Sequence, residues 1–448
     1  MQSLHMKTRL LVPLASLLFH SSLWAQSHVD PKSIKDKMQW FADAKLGIFI
    51  HAGIYSVNGV DESWSFFNRK ISHSDYMKQL KGFDMRQYDP EVWADLVKES
   101  GARYAVITTK HHDGVAMYPT KAGTLSSVNS TPARKDIVGP FLTALRKRGL
   151  KAGTYFSLID WTHPDYPEFI KDSVKYKLYT DHARWNRFRT FMQSQIAELS
   201  SMYNPDLFWF DGDWEHSAEQ WEAEKIRHMI LERNPAAIIN GRLQGYGDYV
   251  TPEQNVPVSK PSYSWWELCM TTNNNWGYQP SDMNWKTPYE VITIFVDAVS
   301  HGGNLLLNMG PKSDGTIPTE QTKVLKELGA WNRRNGEAVF GTIAGISPGH
   351  FYGPTTLSKD STTLYLYLPG RTSGQVVIKG LDNHIEDITM LGSGTKLTHK
   401  VVGKISWSHV PGLVYIDLPS EGQDPYVTVL RVNLDKRIRL YRGEGGFE

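Results

Sequence analysis

The sequence has little of three things, and each shortage excludes a class of protein. It contains one cysteine, Cys269, in 448 residues, so no disulfide can form within the chain. Its formal net charge is only +2, which gives no reason to expect a nucleic-acid or membrane partner. No segment is long and apolar enough for a good membrane span, and no internal repeat is evident. The remaining possibility is an ordinary globular protein, with 40% hydrophobic and 21% charged residues.

The amino-terminal segment has the pattern of a secretory signal. Lys7 and Arg9 form its positive start, residues 10–23 form its apolar part, and Ala25 is the small residue near its end. The apolar part is too short, and too interrupted by proline, histidine and serine residues, for a good membrane span. We therefore predict that residues 1–26 are a signal peptide and that the protein is exported, to the periplasm or the medium.

Seven short apolar runs, each ending in polar or aromatic residues, indicate buried parallel strands. They are residues 46–51, 104–112, 151–157, 207–211, 237–242, 264–269 and 304–310. Most of the intervals between them are long enough for a helix, and several show helical periodicity and capping residues. The alternation predicts an α/β fold, a (β/α)8-like (TIM-type) barrel spanning residues 33–341.

The pattern changes after about residue 342. Short runs with the alternation of half-buried strands follow one another, separated by glycine, proline and asparagine. We therefore predict a C-terminal antiparallel β-sandwich over residues 343–448. Because no low-complexity linker precedes it, we expect the sandwich to pack tightly on the barrel.

In a closed barrel the carboxyl ends of the strands meet on one face, so residues at those ends are expected to share a pocket. These residues are His51, His111, His112, Tyr155, Asp211, Arg242 and Trp266. Asp211 is the most informative, because it follows four apolar residues and sits between Trp209 and Trp214. The alternative is that Asp211 and Gly212 only form a turn.

The carboxylates near the strand ends suggest glycosidic bond hydrolysis. With retention, this reaction needs a nucleophilic carboxylate and a carboxylic acid roughly 5–5.5 Å apart. Glu253 lies in a loop after Arg242, where it could donate a proton and later act as a base. Glu267 is the alternative acid, since burial in an apolar strand would raise its pKa, although it could instead pair with an arginine.

Several motifs together point to one family. They are residues 45–51, 109–114, 155–157, 209–211, 242, 251–253, 266–267, 276–278 and 302–311. Each motif is weak alone, but their number, order and spacing are specific. Over roughly residues 36–340 the chain resembles the α-L-fucosidases of glycoside hydrolase family 29, and we expect an exported bacterial member.

The resemblance implies a retaining, double-displacement α-L-fucosidase with Asp211 as nucleophile and Glu253 as acid/base. It implies that further residues bind the sugar hydroxyls or position the nucleophile: His51, His111, His112, Tyr155, Trp209 and Arg242. It also implies that Phe49, Trp64 and Trp276 pack against the C5-methyl side. The expected substrate is a fucosylated oligosaccharide or glycoconjugate, with no cofactor and no metal.

The match departs from the family at one place. Some members carry a glutamate just before the tryptophan at position 64, whereas this chain has Ser63 there and Glu62 one residue earlier. Either the Ser63 hydroxyl replaces that carboxylate or Glu62 reaches the sugar. Lys110 and Asp113 are expected to form a buried ion pair that supports the neighbouring histidines.

Three alternatives compete with this function. His51, His111 and His112 could bind a metal, but adjacent side chains on a strand point apart, which disfavours that site. An α-L-galactosidase could use the same scaffold, since its sugar differs only by a hydroxyl on C6. A glycan-binding relative without activity would require loss of a carboxylate, and both Asp211 and Glu253 are present.

Overall fold

A computed structural model describes residues 31–405, 407–443 and 446–447. The predicted signal peptide lies outside these ranges. Within them, no helix is both long and apolar enough to cross a membrane.

The helices of the described residues are α1 (Pro31–Ala44), α2 (Trp64–Phe67), α3 (His73–Met77), α4 (Pro90–Glu99), α5 (Val138–Lys147), α6 (His182–Tyr203), α7 (Ala218–Trp221), α8 (Ala223–Arg233), α9 (Pro288–Ser300) and α10 (Thr319–Asn335). The first nine strands are β1 (Leu46–Ile50), β2 (Tyr104–Lys110), β3 (Lys151–Ser157), β4 (Glu168–Ile170), β5 (Ser173–Val174), β6 (Leu207–Asp211), β7 (Ile238–Ile239), β8 (Glu267–Met270) and β9 (Asn304–Met309). The remaining strands are β10 (Ile343–Ala344), β11 (Thr355–Leu357), β12 (Thr363–Pro369), β13 (Gly374–Lys379), β14 (Ile385–Met390), β15 (Thr395–Lys396), β16 (His399–Val402), β17 (Leu413–Leu418), β18 (Val427–Leu434), β19 (Tyr441–Gly443) and β20 (Gly446–Phe447).

Seven parallel strands form the main sheet, in the order β7-β6-β3-β2-β1-β9-β8. Each of the seven apolar runs contributes one of them. The expectation of an eight-stranded barrel is wrong in one respect: in the part of the chain that the structure describes, the regular sheet has seven strands and stays open between β7 and β8. The chain between those two strands contains no helix, unlike the other connections between successive sheet strands.

The opening between β7 and β8 is spanned by residues 249–253, which we call the seam. Tyr249 makes an isolated parallel bridge to Asn240 on the β7 side. Val250 and Glu253 make similar bridges to Trp266 and Cys269 on the β8 side. The seam lacks a continuous ladder but takes the place of an eighth strand, and this brings Glu253 to the barrel.

Alternation along the strands decides which side chains reach the barrel interior. In β6, Leu207 and Trp209 pack in the interior cluster, which also includes side chains of α1, whereas Phe208 and Phe210 pack outside against the helices. Asp211 continues the inward series at the carboxyl end of the strand. The apolar run therefore places a carboxylate at the mouth of the barrel.

The described C-terminal part has two main antiparallel sheets, one of six strands and one of three (β13-β17-β16), and a short two-stranded sheet, β19-β20. Strand β12 shows how the larger sheet serves two cores. Its leucines face the core of the sandwich, and Tyr365 and Tyr367 pack with the barrel core. The Trp331 indole of α10 also donates a hydrogen bond to the Val427 carbonyl at 2.9 Å. The sandwich is therefore packed directly on the barrel.

Candidate active site

A cavity of about 130 Å³ lies at the carboxyl ends of the parallel strands. It is lined by Phe49, His51, Trp64, His111, Tyr155, Trp209, Asp211, Trp214, Arg242, Glu253 and Trp276. Larger hollows of about 710 and 530 Å³ lie on the α7–α8 surface and on the sandwich, but they contain none of the candidate residues. The small cavity therefore brings together nearly all the side chains singled out from the sequence.

Asp211 is held on both of its oxygens. Its Oδ1 accepts a hydrogen bond from Arg242 Nη1 at 2.9 Å, and its Oδ2 accepts one from the Tyr155 hydroxyl at 2.9 Å. His112 Nε2 lies 3.6 Å from Oδ2. Burial and the neighbouring Asp211 raise the pKa of Tyr155 well above its usual value, so this hydroxyl remains a donor. The carboxylate is thus fixed in direction.

Arg242 connects the two candidate catalytic carboxylates. While Nη1 binds Asp211, Nη2 donates to Glu253 Oε2 at 2.7 Å. The guanidinium also lies over the Trp209 ring, 4.6 Å from its centroid, and its Nε donates to Thr251 Oγ1 at 3.0 Å. A planar arginine held on several sides fixes the relative positions of the groups it binds.

Three imidazoles lie beside Asp211, and each has a polar neighbour on Nδ1. Asn308 Oδ1 is 2.6 Å from His51 Nδ1, Ser63 Oγ is 2.7 Å from His111 Nδ1, and Ser157 Oγ is 2.6 Å from His112 Nδ1. Burial lowers the pKa of all three, to about 4 for His51 and about 3 for His112. The rings are therefore neutral near pH 7, and His51 and His111, which line the cavity, each retain a nitrogen that can bind a hydroxyl.

The expectation that His111 and His112 point apart is wrong. Both residues follow the end of β2, so strand alternation no longer applies, and their ring centroids lie 4.3 Å apart. His111 lines the cavity, whereas His112 lies behind it against Asp211.

Aromatic rings form much of the remaining wall of the cavity. Phe49 packs against Trp209 and Trp276, with ring centroids 5.0 and 5.9 Å away. Trp64 stacks on Trp214 at 6.3 Å with an interplanar angle of 15°. Trp214 was not singled out as a site residue, although its place three residues after Asp211 was the available clue. Apolar faces of this kind suit the apolar face of a sugar.

Glu267, the alternative acid, lies beneath the cavity and does not line it. Its side chain is fully buried and accepts hydrogen bonds from the Tyr104 hydroxyl at 2.5 Å and from Trp209 Nε1 at 2.9 Å. Burial raises its pKa to about 7, as the sequence suggested. The suggested ion pair with an arginine is replaced by these two neutral donors. The hydrogen bond to Trp209 therefore links Glu267 to the cavity.

Residues 62 and 63 have separate roles in the structure. Ser63 binds His111, as given above, while Glu62 is buried and accepts a hydrogen bond from the Gly277 amide. Burial raises the pKa of Glu62 to about 8. Neither residue lines the cavity, so the first effect of Ser63 is on the orientation of His111.

The expected pairing of Lys110 with Asp113 is not observed. Lys110 Nζ lies 3.7 Å from Asp160 Oδ2, while Asp113 accepts hydrogen bonds from the Tyr76 hydroxyl and the Val115 amide at 2.6 and 3.0 Å. The sequence pattern identified buried charges here but not their partners. Asn308, which belongs to the motif of residues 302–311, is a further supporting residue, and the sequence pattern does not predict its contact with His51.

Comparisons with known proteins identify the family of the chain. The sequence model described as alpha-L-fucosidase matches residues 19–337. Tissue alpha-L-fucosidase of Homo sapiens is 29% identical over 417 residues, which cover 85% of this chain and 84% of the human one. The enzyme of Macaca fascicularis is 32% identical over 67% of this chain and 68% of its own.

Two solved structures share the fold over most of both chains. Alpha-L-fucosidase isoenzyme 1 from Paenibacillus thiaminolyticus has a TM-score of 0.82 and 31% identity, and the match covers 90% of this chain and 100% of that one. A family 29 alpha-L-fucosidase from Bacteroides thetaiotaomicron, trapped as a covalent intermediate with 2-fluoro-fucosyl fluoride, has a TM-score of 0.78 and 29% identity, covering 89% and 96%.

Proposed function

The chain belongs to the alpha-L-fucosidase family of glycoside hydrolases, and from this membership we propose that it releases terminal α-L-fucosyl residues with retention at the anomeric carbon. Asp211 is the nucleophile and Glu253 the general acid and base. The observation that carries the assignment is the shared guanidinium of Arg242, which binds Asp211 at 2.9 Å and Glu253 at 2.7 Å. Two carboxylates on one guanidinium are close, which supports the short separation of a retaining pair.

In the first step an Asp211 oxygen attacks C1 of the fucosyl residue and the bond from C1 to the leaving oxygen breaks. Glu253 gives its proton to that oxygen as it leaves. In the second step Glu253 takes a proton from water, the water oxygen bonds to C1, and Asp211 is released. The Bacteroides thetaiotaomicron relative trapped as a covalent intermediate supports the existence of the fucosyl-enzyme.

Glu253 must exchange its contact with Arg242 for the leaving oxygen before it donates a proton. Its side chain is 40% exposed and belongs to the seam, where isolated bridges replace a ladder. A small movement there breaks few hydrogen bonds. Asp211 keeps its other partner, Tyr155, during that movement.

The sugar hydroxyls are bound by neutral imidazoles and the C5-methyl group by the aromatic wall. His51 and His111 line the cavity with their rings and do not bring a charge. Fucosylated oligosaccharides and glycoconjugates are therefore the proposed substrates.

An α-L-galactoside has an extra hydroxyl on C6, which would face Phe49, Trp64 and Trp276. Because apolar walls reject an added hydroxyl only by about 10²-fold, we expect kcat/KM for nitrophenyl α-L-fucoside to exceed that for the L-galactoside by about this factor. Equal values in the paired assay would favour the galactosidase alternative.

The stereochemical course tests the mechanism directly. Proton NMR of the first sugar released from an α-L-fucoside should show the α anomer before mutarotation, because two displacements at C1 restore the configuration. If the β anomer appears first, the reaction is a single displacement by water, and Asp211 is a base.

Export is the second element of the proposal. It rests on the pattern of residues 1–26, and we propose cleavage of this segment in an exporting, bacterial host. Amino-terminal sequencing of the protein recovered from the periplasm or medium should begin near Gln26. A protein that retains Met1 in the cytoplasm would contradict it.

A further inference from the structure

Three potential metal ligands meet beside the cavity, outside the proposed catalytic groups. They are Glu168 of β4, Glu215 in the turn after β6, and His216, which follows Glu215. One ligand atom from each lies within 4.8 Å of the others. His216 is buried, and only 8% of its surface is accessible. The group is assembled from two connections of the barrel. Glu168 comes from the connection between β3 and β6, and Glu215 and His216 come from the connection between β6 and β7.

The buried imidazole points into this group without a hydrogen bond. His216 Nε2 lies 3.2 Å from Glu168 Oε2, and the side chain of His216 is 5% exposed. Neither atom has a hydrogen-bond partner of acceptable geometry among the described residues. Buried polar atoms without partners are uncommon and call for a ligand or another explanation.

Among the described residues, neither carboxylate forms an ion pair with a lysine or an arginine. In the part of the chain that the structure describes, His216 is the only ion-pair partner of Glu168, and Glu215 has none. The nearby Lys175 ammonium donates instead to the carbonyls of Trp161 and His163, at 2.8 and 2.6 Å. A divalent cation would neutralise both carboxylates and occupy the imidazole lone pair.

We propose that Glu168, Glu215 and His216 bind one divalent transition-metal ion, with Zn²⁺ as the best fit. Imidazole and carboxylate ligands suit zinc, and bonds of about 2.0–2.2 Å in a tetrahedron separate adjacent ligands by roughly 3.3 Å. The separation of 3.2 Å between His216 and Glu168 agrees with that value. Glu215 completes the set after a small side-chain movement.

The surroundings resemble those of a metal site. The hydroxyl of Tyr166 and the indole of Trp161 donate hydrogen bonds to Glu215, which would fix the orientation of a ligating carboxylate. The rings of Trp185 and Trp221 pack against His216, with centroids 4.5 and 4.9 Å away. An apolar shell of this kind limits access of water to the ion.

The ion would act on the shape of the cavity and not on the reacting atoms. Glu215 follows Trp214, which lines the cavity and stacks on Trp64. Because the same ion would also bind Glu168, it would link the β4–β5 hairpin to the turn that carries Trp214. Removal of the ion should therefore lower thermal stability, while kcat measured well below the melting temperature changes less than about threefold.

The test uses the full mature protein, stripped with EDTA and then dialysed against Zn²⁺, Mn²⁺ or Ca²⁺. Elemental analysis should find about one equivalent of zinc per chain, and zinc should raise Tm by at least about 3 °C. If the protein retains manganese and not zinc, the group is still a transition-metal site, but its metal is manganese. If the folded protein retains no ion and its Tm does not respond to any of the three, the proposal is wrong and the group is a histidine–carboxylate pair.

Variants locate the ion. Because the Glu168 side chain is partly exposed, the Glu168→Gln variant should fold. This variant should lose the bound zinc and the increase of Tm on addition of zinc. The His216→Gln variant should lose both as well. The control is His301→Gln, because His301 also lies beside a carboxylate, Asp297, at 3.5 Å, but belongs to no such group. Zinc binding that survives in Glu168→Gln as in the control would place the ion elsewhere and overturn the proposal.

Discussion

The two proposed catalytic carboxylates come from regions of the barrel that are built differently. Asp211 ends β6, which is in continuous parallel register with β3 from Leu207 to Asp211 itself. Glu253 belongs to the seam, and a single bridge joins it to Cys269. The side chain of Asp211 is 12% exposed and that of Glu253 is 40% exposed. The difference suits the chemistry: a nucleophile must keep its position through both steps, whereas an acid and base must reach a leaving group and then a water molecule.

The largest effect is expected at the end of the regular ladder. Asp211→Gly or Asp211→Asn should lower kcat by at least about 10³-fold while the protein remains folded, because the covalent step is lost but the strand is kept. Steady-state kinetics and thermal unfolding measure the two parts of this prediction.

Azide provides the control for Asp211→Gly, since a small anion can attack C1 from the space of the missing carboxylate. We expect restored turnover and a fucosyl azide of inverted configuration. Near-normal activity of either variant without azide would mean that Asp211 is not the nucleophile. The difference in structure between ladder and seam would then have no link to the two catalytic roles.

A smaller and selective effect is expected in the seam. Glu253→Ala should slow natural oligosaccharides by about 10²–10⁴-fold but activated aryl fucosides much less, because a good leaving group needs little protonation. Measuring kcat/KM against leaving-group pKa for both proteins tests this. If the loss is the same for all leaving groups, Glu253 positions Arg242 and is not the acid.

The regular half of the site could be predicted from the sequence more fully than the seam. Buried parallel strands are apolar runs, so β6 and its neighbours are visible in one sequence, and alternation then fixes that Trp209 and Asp211 face inward. Residues 249–253 have no apolar run because they form bridges without a buried strand. The position of Glu253 in a loop after Arg242 and the family resemblance, and not periodicity, indicate its role.

The partners of buried groups were the least predictable part. The pairing of Lys110 with Asp160, and of Ser63 with His111, depends on how the end of β2 meets loops from other connections of the barrel. A bulge near Thr108 in the ladder between β2 and β3 also changes the direction of the residues that follow. Such contacts depend on tertiary packing, which a local pattern does not encode.

The smallest effect is expected for Glu267, a buried carboxyl group in β8, next to the seam. Glu267 accepts hydrogen bonds from Tyr104 and Trp209, and Trp209 supports Arg242 from below. Glu267→Gln keeps the shape and one acceptor, so kcat/KM should fall by only about 10-fold, equally for good and poor leaving groups. If kcat/KM falls only for substrates with poor leaving groups, Glu267 is the general acid and Glu253 is not.

Stability against pH gives the second readout for Glu267. Burial raises its pKa from 4.5 to about 7, so the folded protein binds this proton more tightly than the unfolded chain does. The stability it contributes is complete below about pH 4.5 and is lost as the pH rises through about 7. Glu267→Gln does not titrate, so Tm of the variant minus Tm of the wild type should increase between pH 5 and pH 8. If this difference in Tm stays constant between pH 5 and pH 8, the pKa of Glu267 is the same in the folded and unfolded protein. Trp209 would then bind an ionised carboxylate that the fold stabilises.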